Sequence, residues 1–226
     1  MTVHPDLAPV EFLLGRWEGA GVGGYPTIES FRFGQEISFS HNGKPFLIYV
    51  SRTWRLDEEG RIGPPLGTES GYWRPRPGNQ IEVMLAHPTG IVEIYLGEIS
   101  GTRIEMATDV VARTATAKEV TAGHRLYGLA GPAGPLGQDL AYAYDMSAMG
   151  QSLQPHLSAQ LKRVSSVGEL DAIGDGGNKL VPGRLRHRAL APYRGRLDKV
   201  GQPGDSVSAR FSRPPSRWTS CRREGG

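Results

Sequence analysis

Residues 15–24 read GRWEGAGVGG, and two folds compete for them. Gly19, Gly21 and Gly24 meet the spacing G-x-G-x-x-G. A dinucleotide-binding turn needs a helix directly after the last glycine, so that its first amides face the pyrophosphate. Tyr25-Pro26-Thr27-Ile28 follows instead, which is no helix start. The better frame is G-x-W-x-G-x-G over Gly15, Trp17, Gly19 and Gly21. Glycines let a strand bend sharply as a sheet closes on itself, and Trp17 at the start of that strand can plug one end. The stretch therefore predicts the first strand of a closed barrel.

The flanking sequence agrees. Residues 5–14, PDLAPVEFLL, predict a short helix with Asp6 as its N-cap and Val10, Leu13 and Leu14 on one face. Residues 29–40 alternate, with Phe31 and Phe33, then Ile37 and Phe39, on one side of a half-buried strand. His41-Asn42-Gly43 signals a hairpin, and residues 44–56 form the next strand. Further strands are expected over 68–74, 80–86, 90–97, 102–112, 118–127, 138–148 and 158–164, the last preceded by a tight helical turn at 152–156. Short turns such as Pro75-Arg76-Pro77-Gly78 separate them. The predicted fold is all-β, a ten-stranded antiparallel up-and-down barrel of the lipocalin or fatty-acid-binding kind. A barrel wider than eight strands has room inside for a ligand.

Composition sets further bounds. Thirty-one glycines and 17 prolines in 226 residues favour strands and turns over long helices. No apolar run is long enough to span a membrane, and the N-terminal segment lacks the pattern of a secretory leader. One cysteine, Cys221, leaves no internal disulfide and fits a cytoplasmic protein. Residues 165–226 carry 12 Lys/Arg against 6 Asp/Glu, with 10 glycines and 5 prolines and no sustained period. They read as a disordered basic extension. Residues 1–164 are mildly acidic by contrast, which argues against nucleic acid as the partner of the barrel.

The candidate chemistry is sparse. There is no G-x-S-x-G, no H-E-x-x-H and no carboxylate cluster with metal spacing. His4 lies in the start of the chain, His41 in a turn, His124 on a polar face and His187 in the tail. Each reads as a surface residue. His87 ends the strand carrying Ile81, Val83 and Leu85 at a His-Pro turn on the rim, where it either reaches the cavity mouth or is a solvated turn histidine. His156 sits in QSLQPHL (151–157) after a strand bearing Tyr142, Tyr144 and Met146 at every other position. A lone histidine among apolar residues is usually structural. Around it the sequence shows no polar cluster suited to anything but a single axial bond.

Six segments together carry a resemblance: GRWEGAG (15–21), YPTI (25–28), SHNGKPFLIY (40–49), ESGYWRPRP (69–77), TAKEV (116–120) and QSLQPHL (151–157). In this order they resemble the nitrobindins, haem-binding β-barrels classed as peroxynitrite isomerases, over residues 4–164. The resemblance implies one haem b per chain near the barrel mouth, with His156 as the axial iron ligand. It implies an apolar opposite face near Leu66, Met146 and His87, with Lys118 placed for a propionate and Thr27 as a further neighbour. Gly67 departs from relatives that carry a bulkier residue there.

The activity so implied is isomerisation of peroxynitrite to nitrate on ferric iron, a Lewis acid with one open position, together with reversible binding of nitric oxide. Neither needs a protein acid or base. The alternatives are a non-enzymatic nitric oxide sensor or carrier, and a carrier of an apolar small molecule. The carrier of a fatty acid would want an inward arginine beside Tyr142 or Tyr144, and none is apparent in the sequence. Oligomeric state is open, with a homodimer as one expectation.

Overall fold

The computed structural model of the chain describes residues 2–165. Of the extension expected over 165–226, Ser165 ends the last strand and the remainder, with His187 and Cys221, lies outside the described residues. A 3-10 helix, Pro5–Leu13, leads into ten strands: β1 Gly15–Tyr25, β2 Ile28–Ser40, β3 Leu47–Leu56, β4 Ile62–Arg76, β5 Gln80–His87, β6 Ile91–Ser100, β7 Arg103–Arg113, β8 Val120–Gly134, β9 Gly137–Ala148 and β10 Gln154–Ser165. Each strand pairs antiparallel with the next, and β10 returns to β1, so the sheet is a closed ten-stranded barrel. Closure leaves no free edge. No helix of the described residues is long and apolar enough to cross a membrane.

Several boundaries differ from the sequence reading. The helix is 3-10 because Pro9 lies inside it and has no N–H for a regular α-turn. Its N-cap is His4, whose Nδ1 accepts the Asp6 N–H at 3.2 Å, and not Asp6 itself. His41 is buried rather than exposed, and its Nδ1 accepts the Gly43 N–H at 3.2 Å. β8 begins at Val120, which leaves Lys118 in the preceding turn. The helical turn expected at 152–156 is absent: β10 already starts at Gln154, paired with Met146.

The barrel is built in layers. At one end the helix lies across the opening. The Trp17 indole N–H donates to the Leu13 carbonyl at 2.7 Å, and the Arg163 guanidinium sits 4.3 Å from the Trp17 ring. Arg163 also donates to the carbonyls of Phe12 (2.7 Å) and Leu14 (2.5 Å), satisfying acceptors that a helix end leaves open. Trp17 is fully buried and this end is plugged. Next comes an aromatic layer in which Phe39, Tyr49, Trp73, Tyr127 and Tyr142 meet with ring centroids 5.1–5.8 Å apart. Each such pair contributes about 0.5–1.5 kcal/mol beyond its buried area.

The glycines of β1 make this packing possible on the side toward β2. A Cβ on Gly21 would stand 2.4 Å from Phe33 Cζ, and one on Gly23 2.4 Å from Phe31 Cζ. The two rings lie across β1 only because those positions have no side chain.

The odd-numbered strands β1, β3, β5, β7 and β9 run away from the plugged end. The links at 26–27, 57–61, 88–90, 114–119 and 149–153 therefore all gather at the other end.

Candidate functional site

His156 is aimed by a break in the β10 ladder. Pro155 pairs with Asp145 and Leu157 with Tyr144, so His156 is the extra residue of a β-bulge. A bulge puts two consecutive side chains on one face and re-aims the first. Leu157 packs toward Gly23, and the His156 ring stands between Tyr25 and Tyr144, each edge-on at 5.7 Å. Tyr25 is itself fixed: its hydroxyl accepts the Ala148 N–H at 2.8 Å and donates to the Met146 carbonyl at 3.1 Å.

The imidazole has a defined tautomer. Nδ1 lies 3.0 Å from the Gly24 carbonyl, which can only accept, so Nδ1 carries the hydrogen and Nε2 keeps its lone pair. Burial lowers the affinity of the ring for a second proton. The Gly24 hydrogen bond opposes this, the Arg125 charge adds to it, and the pKa falls below the ordinary histidine value. Among the described residues Nε2 has no hydrogen-bond partner. A half-buried, neutral, oriented nitrogen donor is what an axial bond to haem iron requires. The residues present fit that group.

Beneath His156 lies a polar layer that sequence reasoning missed. Arg125, on the inner face of β8 and only 3% exposed, forms a bidentate pair with Glu69 of β4 at 3.0 and 2.9 Å. It also reaches Glu93 of β6 at 3.4 Å and the hydroxyls of Tyr95 (3.0 Å) and Tyr127 (3.4 Å). Its guanidinium stands 4.3 Å from the Tyr144 ring centroid. Glu93, 1% exposed, accepts from Tyr144 at 3.3 Å and faces His87 Nε2 at 3.0 Å. The interior therefore holds both the polar cluster and the inward arginine that the sequence reading did without.

These contacts set the charges. Burial pushes the Glu69 carboxyl up, but the Arg125 charge and hydrogen bonds, with His87 and the Tyr49 hydroxyl, outweigh it and hold the pKa at about 2. Glu93 is lowered too, burial being outweighed by His87 and Arg125. Desolvation pushes Tyr95 and Tyr144 well above the usual phenol range. A folded-state pKa below the ordinary 4.5 means that the stability contributed by Glu69 is full above that value and is lost as pH falls through about 2. On the order of 3 kcal/mol is at stake. Urea unfolding at a series of acid pH values should show this loss, and Glu69→Gln should flatten it.

The other sequence-predicted positions are placed as follows. Met146, in β9, is half-buried and packs against both the main core and a second apolar group of Tyr25, Val120 and Ala148. Thr27 lies in the β1–β2 turn and Lys118 in the β7–β8 turn, both exposed and both at the open end with His156. His87 ends β5 at the same rim and turns toward Glu93. Leu66 lies in the first half of β4 and is 44% exposed.

A barrel plugged at one end, with an oriented imidazole at the other, defines a ligand-binding β-barrel with its site at the mouth. The model of the "THAP4-like, heme-binding beta-barrel domain" family matches residues 6–163. The chain belongs to that family. It is 53% identical over 170 residues to a peroxynitrite isomerase of Frankia casuarinae, covering 72% of this chain and 88% of that protein. It is 48% identical over 174 residues to a ferric nitrobindin-like protein of Thermobifida fusca, covering 72% and 96%. The crystal structure of Rv2717c from M. tuberculosis superposes with a TM-score of 0.64 at 40% identity, covering 73% of this chain and all of that one.

Proposed function

We propose that the protein holds one haem b at the open end of the barrel through His156 and isomerises peroxynitrite to nitrate. The carrying observation is the His156 ring, its Nδ1 tied to the Gly24 carbonyl at 3.0 Å and its Nε2 left as a donor. Relatives at about half identity are named peroxynitrite isomerase. Bound haem supplies a Lewis-acidic ferric iron with an open position, the chemistry on which peroxynitrite rearranges.

The chain itself does the holding. Gly24 fixes the tautomer and Tyr25 and Tyr144 fix the plane of the imidazole. Met146 and Leu157 offer apolar contact. Lys118 and Thr27, in the two turns that flank the β9–β10 link on the same rim, complete the holding side: Lys118 would meet a propionate, where an ammonium suits a carboxylate, and Thr27 is a further neighbour. Leu66 and His87 complete the proposed surround on the opposite side. The same site in ferrous form takes nitric oxide reversibly. One cysteine in the whole chain fits the reducing cytoplasm.

The fatty-acid reading loses its support in the same structure. Arg125 is inward, but both arms of its guanidinium already hold Glu69. A ligand carboxylate would have to displace a buried protein carboxylate. The test is direct: the full chain loaded with ferric haem should speed peroxynitrite decay well beyond free haemin and return nitrate. Decay no faster than free haemin overturns the enzymatic reading, and a reversible spectral change of the ferrous protein with nitric oxide would then leave the sensor.

For assembly, the outer wall carries an apolar row in register across five strands: Ile48, Tyr72, Met84, Ile94 and Val110. Tyr72, Ile94 and Val110 are 49, 36 and 45% exposed. A contiguous patch of this kind fits a homodimer. Ile94→Asp should weaken self-association roughly tenfold or more by sedimentation equilibrium. An unchanged dimer would place the interface elsewhere.

A further inference from the structure

Strand order places His87 directly across the mouth from His156. β5 is five strands from β10 in either direction around the ten-stranded barrel, and His87 ends β5 at the open rim. Its ring is held between a buried carboxylate and a part-buried one. Nε2 is 3.0 Å from Glu93 on β6, and Nδ1 is 3.8 Å from Glu69 on β4. Arg125 on β8 stands behind both acids, with the hydroxyls of Tyr95 and Tyr144 completing the surround. His87 is 20% and Glu69 15% exposed, against 1% for Glu93 and 3% for Arg125, so the His87 edge of the group is the one that faces the mouth.

The cluster counts charge in a simple way. Arg125 and Glu69 form a bidentate pair and cancel. Glu93 remains, buried and ionised. A buried carboxylate without a full partner is costly. The group that can complete the balance is the His87 ring, whose second proton would give each carboxylate an N–H to face. With that proton the wall opposite His156 is neutral. Without it the wall carries one net negative charge.

The geometry points to His87 as a proton-operated anion selector for the mouth. Protonated, it lets a small anion approach the face opposite His156; deprotonated, it leaves Glu93 to repel one. His87 is thus a positioning and specificity residue, acting through charge, for the anionic substrate and for the nitrate that must leave. This rests on the reading of His156 as the haem ligand, but its test does not need turnover.

Azide binding to the ferric, haem-loaded full chain is measured by absorbance across neutral to alkaline pH, with variants compared at each pH so that azide's own titration cancels. Wild type should lose affinity, relative to the variants, as pH rises. His87→Gln fixes the charged wall: it should bind more weakly than wild type at the low-pH end, on the order of fivefold, and equal it at the high end. Glu93→Gln removes the charge: it should bind more tightly than wild type at the high-pH end, by a similar factor. The opposite signs separate this from a structural role, since mere damage would weaken both variants. Three superimposed profiles, or both variants shifted the same way, would overturn the selector.

A second readout is independent of haem. In NMR of the full chain, Glu93→Gln should move the titration midpoint of the His87 ring to lower pH, and an unmoved midpoint overturns the charge coupling. If wild type gives no azide spectrum at all, the haem reading fails, and the NMR titration still decides for or against the coupled pair.

Discussion

Replacing Arg125 by Met will cost about 3–5 kcal/mol of folding stability, the range measured when one partner of a buried ion pair is removed. The side chains are similar in length, so little packing is lost. What is lost is the guanidinium that bonds both Glu69 and Glu93 inside the barrel. Glu69 is left with the Tyr49 hydroxyl and the more distant His87 ring, and Glu93 with His87 and the Tyr144 hydroxyl. Urea unfolding at neutral pH should show the midpoint drop. The double variant Arg125→Met, Glu69→Gln should recover much of it, because the pair then leaves together. A single variant as stable as wild type would mean that the cluster is solvated and the charges are not buried.

Replacing His156 by Ala should lower haem affinity by at least about 100-fold, more than the loss seen when a neighbour of a metal ligand is removed. The fold should survive, since His156 is a bulge residue outside the ladder pairing of β10. Haem transfer to a competing apoprotein measures the first, and circular dichroism the second. Added imidazole should restore part of the Soret band to His156→Gly by filling the space between Tyr25 and Tyr144. Retained haem in the Ala variant would move the axial bond to another residue. Acid should also release haem from wild type, since a proton on Nε2 competes with iron for the same lone pair, though the lowered pKa of His156 delays this.

The barrel was legible in the sequence because its signals are local. Alternation in residues 29–40, hairpin dipeptides and the glycines of residues 15–24 each act within a few positions. His156 stood out because its surroundings are plain. Its presentation by a bulge was not legible, since the extra residue shows only against the register of β9. Pro155 marks the place, but the local sequence there carries the signal of a helical turn. The Arg125 cluster was missed for a different reason. Its partners lie 56 and 32 residues away, a distance at which no local pattern speaks. A signal did exist. Gly123, Arg125 and Tyr127 alternate on one face of β8, as do Glu69, Gly71 and Trp73 in β4. A charged residue on an inward parity in two strands of one barrel asks for a partner.

The helix, Trp17 and Arg163 together make the barrel a blind socket. Traffic through it must be single file: each product has to back out by the doorway its successor will use. The plugged base can be altered for sturdiness while the doorway stays as it is.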